Sequence, residues 1–232
     1  MLRFVRSTSV LRLPVILQRT LSESVPAQEV EQELPDNQEV GNTPTRIKVT
    51  LPRWSVGPFI GERFENINRI QNETNSHLKI SRWGNFFPNS LERVLMIEGK
   101  TDDVLNAIYK IYDSFRMVEV PEYVKNPEAA NERKKGISLI TPLSLAKDFN
   151  DFKGKNKSHT TQNFQLDQFY IYEKQKFHDD LKERIIHIRG EEDNVKNAVN
   201  FVVQKLSSGP KVDDNLNYRQ FYINDEGGSR DE

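Results

Sequence analysis

The sequence predicts an α+β fold: a three-stranded sheet covered on one face by three helices, followed by a divergent second copy of the same unit. Three observations carry this. Between residues 45 and 116, apolar spacing switches between alternation and the three-to-four rhythm of a helix in the order β-α-α-β-β-α. Gly and Pro punctuate the switches. The strand-turn-helix stretch ERVLMIEGKTDDVLNAIYKI from Glu92 recurs as ERIIHIRGEEDNVKNAVNFV from Glu183.

The first 21 residues read as a processing signal rather than as fold. Arg3, Arg6, Arg12 and Arg19 are interleaved with apolar residues, Ser and Thr, and no acid occurs before Glu23. A short helix there would be amphipathic and cationic, the pattern of a mitochondrial transit peptide, so the expected location is the mitochondrial matrix. Residues 22–44 carry six acids and few large apolar groups and are expected to be a disordered linker.

Arg46 to Leu51 alternates polar and apolar residues, a strand that Pro52 ends. Ser55 to Ile60 fits a short helix with Pro58 in its first turn, where a missing N–H costs nothing. Beyond Gly61, Phe64, Ile67 and Ile70 keep helical spacing to about Thr74. His77 to Ser81 is a second strand, residues 83–90 a loop, and Arg93 to Glu98 a third strand closed by Gly99. Thr101, Asp102 and Asp103 suit the start of a last helix. Its stripe is Val104, Ala107, Ile108, Ile111, Tyr112 and Phe115.

Residues 117–135, with Pro121, Pro127 and the run Glu132 to Lys135, read as a linker with room for a short helix. The second copy spans 136–207. Ile137 to Leu145 reads as a strand broken by Pro142, Ala146 to Phe152 as a helix, and Gln168 to Tyr172 as a strand. The polar segment from 208 to 232 is expected to be disordered.

The net charge of −1 over 232 residues excludes a polybasic nucleic-acid binder, so any such binding must be local. The absence of cysteine excludes disulfides, thiolate zinc sites and a cysteine nucleophile. No apolar run approaches a membrane span. His77, His159, His178 and His187 share no metal-ligand spacing, and no P-loop, HExxH or GxSxG occurs. The reading is of a protein that is not an enzyme and needs no cofactor.

The first unit resembles the eukaryotic, type I KH domain. The resemblance rests on Leu51-Pro52, Val56-Gly57, Phe59-Ile60-Gly61, Ile67, Ile70, Thr74, Ile80, Glu92-Arg93, Ile97, Gly99 and Ala107-Ile108, in family order over about 65 residues. It implies a groove for about four single-stranded nucleotides, with a GxxG loop clamping the nucleic-acid backbone at a helix N-terminus. Here that loop reads Gly61-Glu62-Arg63-Phe64. Phenylalanine stands at the second glycine, Glu62 repels phosphate, and Arg63 offers it a guanidinium.

Around that loop the candidate nucleic-acid-binding residues are Arg53, Trp54, Gly57, Ile60, Gly61, Arg63, Arg69, Lys79, Arg82 and Trp83, with Phe86 and Phe87 beside them. The alternative is that Trp54, Phe86 and Phe87 pack on the domain's own flank and the cations form a solvated face. In the second copy, Lys153, Gly154, Lys155 and Lys157 fall at the loop position, as phosphate ligands or as a mobile surface loop. The resulting expectation is a mitochondrial protein that binds single-stranded RNA in RNA metabolism or translation, beside the mitochondrial ribosome or RNA-processing proteins. The competing expectation is a protein–protein scaffold in a mitochondrial complex. The oligomeric state and the choice of RNA over single-stranded DNA stay open.

Overall fold

Alternation in β1 (Pro44–Pro52) puts Ile47, Val49 and Leu51 on one face, and the stripe of α3 (Thr101–Met117) covers them. In the computed structural model these elements belong to a six-stranded antiparallel sheet. The structure describes residues 43–149, 159–172 and 180–218. The expected leader, most of the acidic linker and the lysine loop at 153–157 lie outside them.

The first half runs β1, α1 (Arg53–Ile60), a 3₁₀ turn (Glu62–Phe64), α2 (Glu65–Thr74), β2 (His77–Ile80), β3 (Glu92–Lys100) and α3. The linker holds α4 (Pro127–Lys134), started by Asn126, whose side chain accepts from the Ala129 amide. The second half runs β4 (Gly136–Pro142), α5 (Leu143–Ala146) continued as 3₁₀ through Phe149, α6 (His159–Asn163), β5 (Gln168–Ile171), β6 (Glu183–Arg189) and α7 (Glu192–Ser207).

Strand order is β2-β3-β1-β4-β6-β5. Each half contributes three strands in mirrored order, and the halves join where β1 pairs antiparallel with β4. The register has an internal two-fold. Val49 and Leu139 each stand three residues before their strand's terminal proline, and they pair with one another. Those prolines share a backbone conformation, φ −54° and ψ 139° at Pro52 against φ −56° and ψ 142° at Pro142. Pro142 therefore ends β4 instead of breaking it, and the following helix starts at Leu143, earlier than periodicity suggested.

The helix-covered core is continuous across the join, from Ile47, Val49 and Ile97 to Leu139, Ile186 and Ile188. Helices α3 and α7 pack on each other there. The Tyr109 hydroxyl donates to the Lys196 carbonyl at 3.1 Å, and Lys196 pairs with Asp113 at 3.0 Å and Glu192 at 2.7 Å.

The segment from 208 to 232 is expected to be disordered, but within its described part residues 211–218 lie over the sheet face that the helices do not cover. Val212 and Tyr218 are buried with Phe87, Val94, Ile140 and Ile185. Lys48, at the centre of β1, is fully buried and reaches Glu183 Oε1 at 2.9 Å, the Asn215 carbonyl at 2.9 Å and the Tyr218 hydroxyl at 3.1 Å. Tyr218 in turn donates to Glu183 Oε2 at 2.8 Å. Burial pushes the Glu183 carboxyl up, and the Lys48 charge offsets this only in part. A polar tail escaped its expectation because two apolar residues and one tyrosine are too few to show a period.

The linker is also tied down. Arg133 of α4 meets Glu92 at 2.9 Å and donates to the carbonyls of Gly136 and Thr50. Burial pushes the Glu92 carboxyl up, but Arg133 and the Thr50 hydroxyl outweigh it and hold the group below the ordinary carboxylate range.

Candidate nucleic-acid interface

Helix α1 begins at Arg53, so Pro58 is its sixth residue and not part of its first turn. A proline there supplies no N–H to the Trp54 carbonyl, which loosens the helix just before the loop. Gly57 lies on the exposed side of α1, and a Cβ added there would meet nothing within 4 Å. The chain's own packing does not require glycine at that point, although glycine costs a helix about 1 kcal/mol.

Gly61 is different. Its φ of 73° and ψ of 177° fall where side-chain-bearing residues are strained, and a Cβ would come within 2.9 Å of Asn66 Nδ2. Arg63 and Phe64 follow with φ of 49° and 65°, two consecutive left-handed residues without the freedom of glycine. The backbone thus keeps a path suited to a glycine at position 64 while carrying a phenylalanine. Phe64 is not the first core residue of α2, as spacing suggested. It precedes the helix and is 54% exposed. No side chain caps the α2 N-terminus. Its leading amides and the exposed Arg63 face the same loop, a positive corner apart from Glu62.

The remaining candidates separate into groups. Arg53, Trp54 and Trp83 come together. The Arg53 guanidinium sits 4.9 Å from the Trp83 ring centroid, and all three line a cavity of about 960 Å³. Trp54 is half-buried against Phe115, with centroids 6.0 Å apart, whereas Trp83 is 62% exposed. Arg82 is exposed beside Trp83, and Ile60 is half-buried at the end of α1.

Arg69 points elsewhere. It lines a cavity of about 810 Å³ with Asn66, Asp113 and Arg116, and lies 3.8 Å from Glu73. A hydrogen bond from Lys110, aided by the charge of Arg69, holds Glu73 below its ordinary range. Lys79 alternates with Leu78 and Ile80, whose side chains join the helix-covered core, so Lys79 is on the opposite face from the loop. The structure thus does not bring Arg69 or Lys79 together with Arg53. Phe87 is fully buried and packs on Tyr218 at 5.2 Å, so it is a core residue of the outer face and not a platform. Phe86 is half-buried, edge-on to Trp83. Lys153, Gly154, Lys155 and Lys157 lie outside the described residues.

Sequence reasoning missed Tyr123, Leu91 and Lys125, which line the cavity with Trp83. They sit in segments without periodicity, and an aromatic beside a lysine in a linker gave the only available signal. Among the described residues no group of three His, Asp or Glu side chains could hold a metal ion, and no helix is long and apolar enough to cross a membrane.

The family model described as "KH domain" matches residues 46–113. The chain is 29% identical over 182 residues to RNA-binding protein Nova-2 of Homo sapiens, covering 74% of this chain and 36% of that protein. It is 29% identical over 183 residues to RNA-binding protein Pasilla of Drosophila melanogaster, covering 76% and 23% respectively. The chain thus spans about a third or less of the length of these relatives. With the β-α-α-β-β-α order, the Gly61 loop and the family match on the same residues, residues 46–113 of this chain are a KH domain.

Proposed function

We propose that this protein binds single-stranded RNA through its KH domain, assisted by a divergent KH-like unit at 136–207. The observation that carries the reading is the loop at 61–64. It keeps the left-handed backbone of a phosphate clamp, an uncapped helix N-terminus and an exposed Arg63. Gly57, a glycine that nothing in the fold requires, supports it, because such a position allows a ligand's backbone to come close. Two relatives described as RNA-binding align well beyond residues 46–113, which supports both RNA binding and the second unit. The second unit rests further on the mirrored strand order and the matched prolines. Its lysines at 153, 155 and 157 are its candidate phosphate ligands. The Arg-rich leader supports a role in the mitochondrial matrix, in RNA metabolism or translation.

Fluorescence anisotropy with labelled single-stranded RNA across a salt series tests this. Affinity should fall as salt rises, with a log–log slope of about −0.7 for each phosphate neutralised. Arg63→Ala should flatten the slope by about that amount. Crosslinking in purified mitochondria, with import of the full chain, tests the compartment.

The second reading is a protein–protein scaffold. The observation favouring it is Phe64, more than half exposed where the clamp would have glycine, next to Glu62. No measurable affinity at low salt would displace RNA binding in its favour.

A further inference from the structure

The cavity of about 960 Å³ beside Arg53 is built from three parts of the chain. The KH domain contributes Arg53, Trp83 and Leu91, the linker contributes Tyr123, Lys125 and Arg133, and the second half contributes Tyr172 and Ile185. An isolated KH domain would lack two of its walls. Its volume lies within the range of small-ligand sites.

The lining is unusual for ordinary surface. Six large hydrophobic side chains are exposed among the described residues, and three of them, Trp83 (62%), Leu91 (69%) and Tyr123 (74%), line this one cavity. The charge is one-sided. Glu92 is the acid of the lining, and Arg133 and Thr50 already engage it. Arg53 and Lys125 are exposed and make no ion pair among the described residues. Arg53 lies against the Trp83 ring and Phe86 packs edge-on to it, yet 62% of Trp83 stays exposed. Tyr123 has no ring partner among the described residues.

We propose that this cavity seats a further nucleotide of the single strand, beyond the approximately four that a KH groove holds. The base stacks on Trp83 or Tyr123, and its phosphate pairs with Arg53 and Lys125. Exposed rings beside two cations that make no ion pair suit a base and its phosphate. An apolar peptide would offer neither cation an anion. The cavity and the Gly61 loop share a helix: Arg53 and Trp54 open α1, which runs through Gly57 to Gly61. The proposal rests on the RNA-binding reading above.

The test uses the full chain and randomised RNA pools of four and eight nucleotides. Tyr123→Ala combined with Lys125→Ala should weaken binding of the eight-nucleotide pool about tenfold, the scale of one lost stacking contact. Binding of the four-nucleotide pool should stay unchanged. Comparing variants on one pool removes the statistical advantage of a longer strand. Tyr123→Phe with Lys125 intact should keep wild-type affinity. Unchanged affinity for the longer pool in the double variant overturns the proposal. Equal losses on both pools also overturn it, because the side chains would then serve the KH groove or the fold. Failure of the wild-type chain to bind either pool removes the RNA reading itself, and with it this site, leaving a protein as the occupant to seek.

Discussion

His187 illustrates how one residue changes meaning between sequence and structure. In the sequence it is one of four histidines without metal-ligand spacing. It is buried on the outer sheet face, with Nδ1 3.0 Å from the Ser138 hydroxyl and its ring 5.2 Å from that of Tyr170. Burial, and then the charge of Arg133, depress the imidazole to about 3. The unfolded chain therefore binds a proton near pH 6.5 that the folded chain refuses. Stability is full above that value and falls as pH drops from 6.5 toward 3, by up to about 1.4 kcal/mol per pH unit. Chemical denaturation at pH 7 and pH 5 should show this loss, and His187→Gln should flatten it. Phe64 makes a second case. Relief of a left-handed phenylalanine should make Phe64→Gly more stable by about 0.5–1 kcal/mol. If the loop clamps phosphate, the same change should tighten RNA binding, since a Cβ no longer stands between the backbones. Thermal melts and anisotropy on one variant read both effects.

At the scale of elements, the segment 211–218 decides whether the outer face of the sheet is wet or dry. Its Tyr218 hydroxyl serves Lys48 and Glu183 together, two charges on strands from different halves. Removing a partner from a buried charge costs more than the bond itself contributes. Tyr218→Phe should lower the unfolding free energy by about 1–2 kcal/mol in urea. Deletion from Lys211 onward should cost more and expose enough apolar surface to bind a hydrophobic dye. Helix α4 has a similar role on the near side, where Arg133 fixes the start of β3.

For the whole molecule, the continuous core and the β1–β4 join predict a single cooperative unit. Both tryptophans, Trp54 and Trp83, are in the KH domain. Their fluorescence reports that half, and far-ultraviolet circular dichroism reports both. The two transitions should coincide. Leu139→Ala, in the other half, should shift both together by about 2–4 kcal/mol, because Leu139 is fully buried at the two-fold centre. Separate transitions would mean that the halves fold independently.

Much of the KH domain was legible in the chain, because a half-buried strand and an amphipathic helix each write a local period. Ile47, Val49 and Leu51 on one face, the α3 stripe and the Gly61 loop needed no partner to be recognised. The recurrence of Glu92-Arg93 at Glu183-Arg184 likewise marked a second strand and helix. The tertiary structure decided which faces met. That Val49 would pair with Leu139, that Lys48 would be buried under Tyr218, and that Lys79 and Arg69 would turn away from Arg53 depend on contacts between residues far apart in sequence. Such contacts leave no local period. The candidate site shows the division most clearly: its loop was written in four consecutive residues, and the cavity beside Arg53 came into being only when linker, loop and second half closed around Trp83.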